Sequence, residues 1–355
     1  MKILAMASSF VLLLVFGVLF WAMTHGNPMA GEPTALLSIS KSQALDFSEN
    51  RLLSKGQTSQ RKGQVEVVLD VSRHAGAGQR GKGLQNSEGL LEKSKYGFLP
   101  RRAADGRVPS LIYARPRIGR RDTLPRIALL ITGLGLNQHL SQDAIRKLPA
   151  KVTLAFSAYG RRLPQLARQA QRFDHEYMLQ IPMEPFDPRY SDSGPKSLLV
   201  SNSPSRNREL LHWSLGRLTG YFGVVNSKGG RFLTSQKAVG KLFEELQARG
   251  LVFLHEDETA RPLTEKQAQV AGLGYARISL SIDHKPSPEG INKALKRLEE
   301  LAIHSGFAIG VLHMHPVAID RVSVWAKALK HRRIRLVPVS TAYPAGIGKQ
   351  ARNGT

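Results

Sequence analysis

RIALLITGLGLNQHLSQDAIRKLPAKVTLAFS, residues 126–157, reads as one strand–helix–strand unit. IALLI (127–131) and VTLAF (152–156) are short apolar runs with β-branched residues, the composition of a buried strand. Between them, SQDAIRK (141–147) carries the spacing of a helix. Two such runs separated by a helix need a crossover, and crossovers join parallel strands.

The unit recurs down the chain. Further strand-like runs are YMLQI (177–181), FGVV (222–225), LVFL (251–254), ARISLSI (276–282), FAIGVL (307–312) and IRLVPV (334–339). Helical stretches fall between them at 163–173, 207–218, 235–249, 264–271, 288–305 and 318–331, with apolar residues recurring at three and four, as in Leu295, Leu298 and Leu301. Thr234-Ser235 and Ser287-Pro288 are helix starts of the expected chemistry. The class is therefore α/β with a parallel sheet, and an open doubly wound sheet and a closed barrel both fit. Gly133-Leu134-Gly135 follows the first run, but the third glycine and the later ribose-binding acid of a dinucleotide site are missing.

Most runs end in residues able to do chemistry: Glu184, Asn226 with Arg231, His255-Glu256-Asp257, Asp283-His284, and His313 with His315. The first ends instead in Thr132-Gly133. In a (β/α) barrel, side chains at the carboxyl ends of strands form the active site.

The 355 residues are enough for a barrel plus appendages. No cysteine is present, which excludes disulfides and thiolate metal sites. Residues 3–23 are apolar except for Ser8 and Ser9, long enough for a transmembrane helix. Lys2 precedes this segment and no Lys or Arg occurs in 24–40, so the expectation is a retained signal anchor in the inner membrane, single pass, with the C-terminal domain in the periplasm. The mixture of Gly, Ser, Gln and Lys over 26–95 reads as a flexible basic linker, with one strand-like run at 65–71. The domain is expected over 96–345, entered by an irregular extension, and a tail follows over 346–355. The net charge of +24 is spread over linker and domain rather than gathered in one arm. Export argues against nucleic acid as a partner and for anionic envelope surfaces or polymers.

Read in order, PRIALLITGLGLN (125–137), VTLAFSAYG (152–160), QIPMEP (180–185), FGVVNSKGGRFLT (222–234), GLVFLHEDET (250–259), SLSIDHKPSPEGI (279–291), AIGVLHMHP (308–316) and IRLVPVS (334–340) resemble the divergent polysaccharide deacetylase family. The resemblance implies a distorted (β/α) barrel of about seven strands, one of the eight runs lying outside it. It also implies an exported domain acting on acetylated envelope glycan.

The departures concern the metal. Where the family places Asp-Asp, this chain has Thr132 and Gly133; Ser227 replaces the histidine of its Asn-Asn-His-Met-Gly-Ser-Arg motif; His255 replaces an aspartate. Glu184, Asn226, Arg231, Asp283 and His313 match their family positions. Catalytic zinc ordinarily takes three His or carboxylate ligands, and this set has lost most of them. The alternatives are no metal, or a divalent metal such as zinc rebuilt on His255, Asp283 and His313. For catalysis the resemblance points to His313 as general acid, with Glu184 and Asp283. Asn226, Arg231 and Tyr159 would contact substrate. The structural alternatives are a turn role for Glu184, a pair between Arg231 and Asp283, and loop hydrogen bonds for Asn226. Phe186, Tyr190 and Trp213 could stack on sugar rings, though helical Trp213 is expected to pack. On a regular strand His313 and His315 would share one face, but the run ends here and the turn is expected to separate them, so that at most one enters the site. Two functions remain open: hydrolysis of N- or O-acetyl groups, or an inactive relative that binds glycan or an envelope protein.

Overall fold

β3 (Arg126–Leu134) is the longest strand and the centre of the sheet. In the computed structural model, residues 88–115, 123–189, 191–256 and 262–343 are described. The apolar segment 3–23, the linker as far as residue 87, Tyr190, Asp257 and the tail lie outside them. Among the described residues no helix is long and apolar enough to cross a membrane.

The chain opens with an antiparallel hairpin, β1 (Leu91–Ser94) and β2 (Gly97–Pro100), then the short helix α1 (Pro109–Ile112). After β3 come α2 (Gln138–Lys147), β4 (Thr153–Ser157), α3 (Leu163–Arg172), β5 (Tyr177–Met183), α4 (Pro204–Leu215) and β6 (Gly223–Lys228). They are followed by α5 (Gln236–Ala248), β7 (Val252–His255), α6 (Pro262–Ala271), β8 (Gly274–Arg277) and β9 (Leu280–Ser281). α7 (Pro288–Ser305), β10 (Phe307–His313), α8 (Pro316–Ala328) and β11 (Arg335–Val337) complete the fold.

All pairings in the main sheet are parallel, in the order β8-β7-β6-β5-β4-β3-β10-β9. The sheet curls, because its two ends belong to one stretch of chain. β8 bonds to β7, and Ile278 N–H donates to the His255 carbonyl at 3.1 Å. One residue later Ser279 N–H donates to Ile309 of β10 at 2.7 Å. The expected single strand 276–282 is thus split in two, each half serving a different neighbour. β11 is the run outside the main path: it joins β3 at Arg126–Ala128, on the edge that β4 occupies further along.

Two apolar clusters follow from strand alternation. Ile127, Leu129 and Ile131 of β3 face the helices, with Leu154, Phe156, Leu179 and Phe253. Ala128 and Leu130 face the concave side, with Ala155, Met178, Val252, Leu254, Ile309 and Val311. The helices start where side chains satisfy exposed N–H groups: Asn137 accepts from Leu140, Ser203 from Arg206, Ser235 from Ala238 and Ser287 from Gly290.

The domain start differs from the sequence expectation. A boundary at residue 96 would cut the β1–β2 hairpin at its turn. Leu90 and Leu99 are buried, and Arg249 Nη1 holds both Glu92 (2.7 Å) and the Pro100 carbonyl (2.9 Å). The segment lacks amphipathic alternation because docking, rather than its own pattern, keeps it in place.

Candidate functional site

Strand parity decides which strand-end residues enter the concave mouth. On β3 the inward series runs Ala128, Leu130, and the next inward position is Thr132. On β10 it runs Ile309, Val311, then His313; on β7 it runs Val252, Leu254, then Glu256. Thr132 and His313 are register partners across β3 and β10. The β3–β4 register shifts between Ile131 and Leu134, and Gly133 there has φ +86°. Its N–H donates to the Gln180 side chain at 2.7 Å. The irregularity lies where the family carries its aspartate pair.

Four side chains meet in this mouth. Asp283, its carboxylate only 3% exposed, accepts from His313 N–H at 2.7 Å and stands 3.1 Å from His313 Nδ1 through the same oxygen, Oδ2. The other face of the imidazole looks at Glu256, with Nε2 and Oε1 3.8 Å apart. Glu256 Oε2 is buried without a hydrogen-bond partner. His315 Nε2 lies 3.9 Å from Asp283 Oδ2, so both histidines flank the aspartate. The sequence expectation admitted only one; the turn into α8, which begins at Pro316, brings the second imidazole back.

Their electrostatics are coupled. Burial pushes the Glu256 carboxyl up to about 7, with Asp283 adding to the rise, while His313 and Lys228 oppose it. Burial also acts to raise Asp283, but the two hydrogen bonds from His313 outweigh it and hold that carboxyl below its ordinary value. The hydrogen bond to Asp283 raises His313 against desolvation, and Glu256 adds to the rise. The cluster therefore pairs an anionic Asp283 with a readily protonated His313, next to a carboxyl poised near neutral pH.

Other residues singled out in the sequence are placed differently. Asn226 is buried and fully engaged: Oδ1 accepts from Glu256 N–H at 2.8 Å, and Nδ2 donates to the Lys228 carbonyl at 2.7 Å. It fixes the backbone that presents Glu256, not the substrate. Arg231 pairs with Glu184 (Nε to Oε1, 3.3 Å), not with Asp283. Glu184 Oε2 accepts from Val200 N–H at 2.6 Å and its carbonyl from Arg231 and Phe232, so this carboxylate ties two loops together. Tyr159 packs on Trp213 at 5.5 Å and its hydroxyl accepts from Lys196 N–H at 2.9 Å, which closes it under the 192–197 loop. Phe186 stands at a strand-end rim, 62% exposed, with its ring against Gly230, where a Cβ would lie 2.5 Å from a ring carbon.

His255 is the clearest correction. Parity turns it outward, into the core beneath the helices, where it is fully buried with Nδ1 2.7 Å from the Tyr275 hydroxyl. It cannot join Asp283 and His313 around one ion. Among the described residues no three His, Asp or Glu side chains are grouped to hold a metal. Asp283 Oδ2 is already committed to His313, and Thr132 and Ser227 supply neither carboxylate nor imidazole. The residues present do not fit the family's zinc cage. Glu256, which sequence reasoning passed over in favour of His255, was findable from the inward series Val252, Leu254, Glu256.

Comparison with known proteins agrees with this architecture. The divergent polysaccharide deacetylase family matches residues 129–343. The uncharacterized protein YibQ of Escherichia coli K12 is 19% identical over 194 residues, a match that spans 55% of this chain and 60% of YibQ. The crystal structure of uncharacterized protein ATU2773 from Agrobacterium tumefaciens C58 is 38% identical and superposes with a TM-score of 0.66, over 69% of this chain and 98% of that one. With more than half its length matched, and its strand ends in family order, the chain belongs to the divergent polysaccharide deacetylase family.

Proposed function

We propose that the strand-end mouth takes an acetylated glycan and hydrolyses its N- or O-acetyl group by acid–base chemistry of Glu256 and His313. The observation that carries this reading is the Asp283–His313–Glu256 cluster: an imidazole held by one buried carboxylate and facing a second whose Oε2 is unpartnered. Ionised Glu256 would take a proton from water as its oxygen bonds to the acetyl carbon. The positive charge of Lys228, which Glu256 and His313 both sense, would favour the developing oxyanion. On collapse the bond from carbon to the sugar nitrogen or oxygen breaks, and protonated His313 gives its proton to that leaving atom. Asp283 stabilises the imidazolium before transfer. Acetate and a free amine or hydroxyl result. No metal enters a step, because the donor set does not fit one. We also place the domain on the envelope side of a membrane, held by the 3–23 segment; a C-terminal reporter that stays cytoplasmic would remove that part.

The second reading is a glycan-binding relative without turnover, favoured by the loss of the aspartate pair at Thr132 and Gly133. Acetate release from acetylated oligosaccharides, measured after exhaustive chelation, separates the two. Release that survives chelation and disappears in Glu256→Gln and His313→Gln supports hydrolysis. Oligosaccharide retained without acetate leaves the binding reading, and activity restored only by added zinc overturns the acid–base scheme.

A further inference from the structure

A second site lies outside the mouth. Between α2 and α3 lies an open cleft of about 550 Å³ lined by Arg146, Gln165, Arg168, Gln169, Arg172 and Phe173. Every ionisable residue in this lining is an arginine. The acids nearest in sequence are engaged elsewhere: Asp143 lies 3.6 Å from Lys147, and Asp174 lies 3.0 Å from Arg115. No ion pair to Arg146, Arg168 or Arg172 occurs among the described residues, and all three side chains are exposed.

The arrangement follows from the sequence LPQLARQAQR of α3. Leu163, Leu166, Ala167 and Ala170 form its buried stripe. Gln165, Arg168, Gln169 and Arg172 recur at three and four on a different face, so all four project into one recess. Arg146 and Arg172 sit in the last turns of their helices, where a cation complements the helix dipole. Arg168 is a full turn inside α3, and helix-end electrostatics does not account for it. Three like charges converging without an acid repel one another, a cost that an anion would relieve.

We infer that this cleft binds a phosphoryl group carried by a soluble phosphate ester, such as a phosphorylated sugar. Guanidinium forks match phosphate oxygens two at a time, which a single lysine ammonium does not. The glutamine amides add neutral donors for ester or hydroxyl oxygens, and Phe173, 44% exposed, gives the edge an apolar face for the carbon skeleton. A recess of this size suits a discrete group rather than a flat bilayer.

The test is calorimetric titration of the purified full chain with glucose 6-phosphate and with inorganic phosphate, alongside flotation with phosphatidylglycerol vesicles. Saturable binding of the sugar phosphate is expected, weakened at least about tenfold in the Arg168→Gln, Arg172→Gln double variant, since each charge-assisted hydrogen bond carries that order of affinity. Arg297→Gln, which removes one exposed charge from α7, should leave binding unchanged. Absence of saturable binding overturns the inference. So does equal weakening in the Arg297 variant, which would make the effect one of net charge, and so does vesicle binding that the Arg168→Gln, Arg172→Gln variant loses while no sugar-phosphate binding is seen, which would make the surface a membrane contact.

Discussion

Replacing Glu256 by glutamine should make the protein more stable at alkaline pH and, under the proposed acid–base scheme, abolish acetate release. A carboxyl moved by burial from 4.5 to about 7 is harder to ionise by about 3 kcal/mol, at about 1.4 kcal/mol per pH unit. The folded state holds this proton more tightly than the unfolded chain does. Stability from this group is therefore complete below about pH 4.5, declines as pH rises toward 7, and stays reduced above that. Partial relief from His313 and Lys228 is already contained in that value. Glutamine keeps the shape and stays neutral, so the decline disappears. The variant should match wild type within about 0.5 kcal/mol near pH 4.5 and exceed it by about 2–3 kcal/mol at pH 8. Urea unfolding at half-unit steps between pH 4.5 and 8.5, with acetate release assayed on the same samples, measures both effects. A stability difference that does not change with pH would refute the burial argument for Glu256. A variant that retains full acetate release would refute its role as base.

Three further outcomes follow from the geometry. Asp283→Asn and His313→Gln should each lower acetate release by about 10²–10⁴-fold, and Asp283→Asn should also move the imidazole titration of His313 downward in NMR, because the largest cause of its elevation is removed. His255→Ala should cost about 2–4 kcal/mol in denaturant unfolding, as a buried residue bonded to Tyr275, yet leave turnover per folded molecule unchanged; a selective loss of turnover would return His255 to the site. Glu245 is held down at about 2, chiefly by the His212 hydrogen bond and against burial, with Arg249 adding its charge. Because that carboxyl is depressed from 4.5, its contribution of up to about 3 kcal/mol is present above pH 4.5 and lost as pH falls toward 2. Acid unfolding of Glu245→Gln should therefore start from lower stability at pH 7 and converge with wild type by about pH 2–3; parallel curves would contradict this.

Much of the fold was legible in local pattern. The apolar runs and helical spacings placed β3 to β7, β10 and β11, and the serines before α5 and α7 act as caps. The hairpin β1–β2 was not legible, because its stability comes from Arg249, Leu90 and Leu99 rather than from its own alternation. The split of 276–282 into β8 and β9 was equally hidden: which neighbour a strand bonds to depends on how the sheet curls.

The sequence alone determined that this is a parallel α/β chain, that residue types able to do chemistry stand at its strand ends, and that Thr132 and Gly133 occupy the positions where the family carries an aspartate pair. Periodicity and residue type are local properties, so they survive without coordinates. Only the tertiary structure decided that Glu256 rather than His255 faces His313, that Arg231 holds Glu184, and that three arginines from two helices share one cleft. Each of these depends on the relative placement of side chains on different elements, which is set by the packing of the whole sheet and its helices.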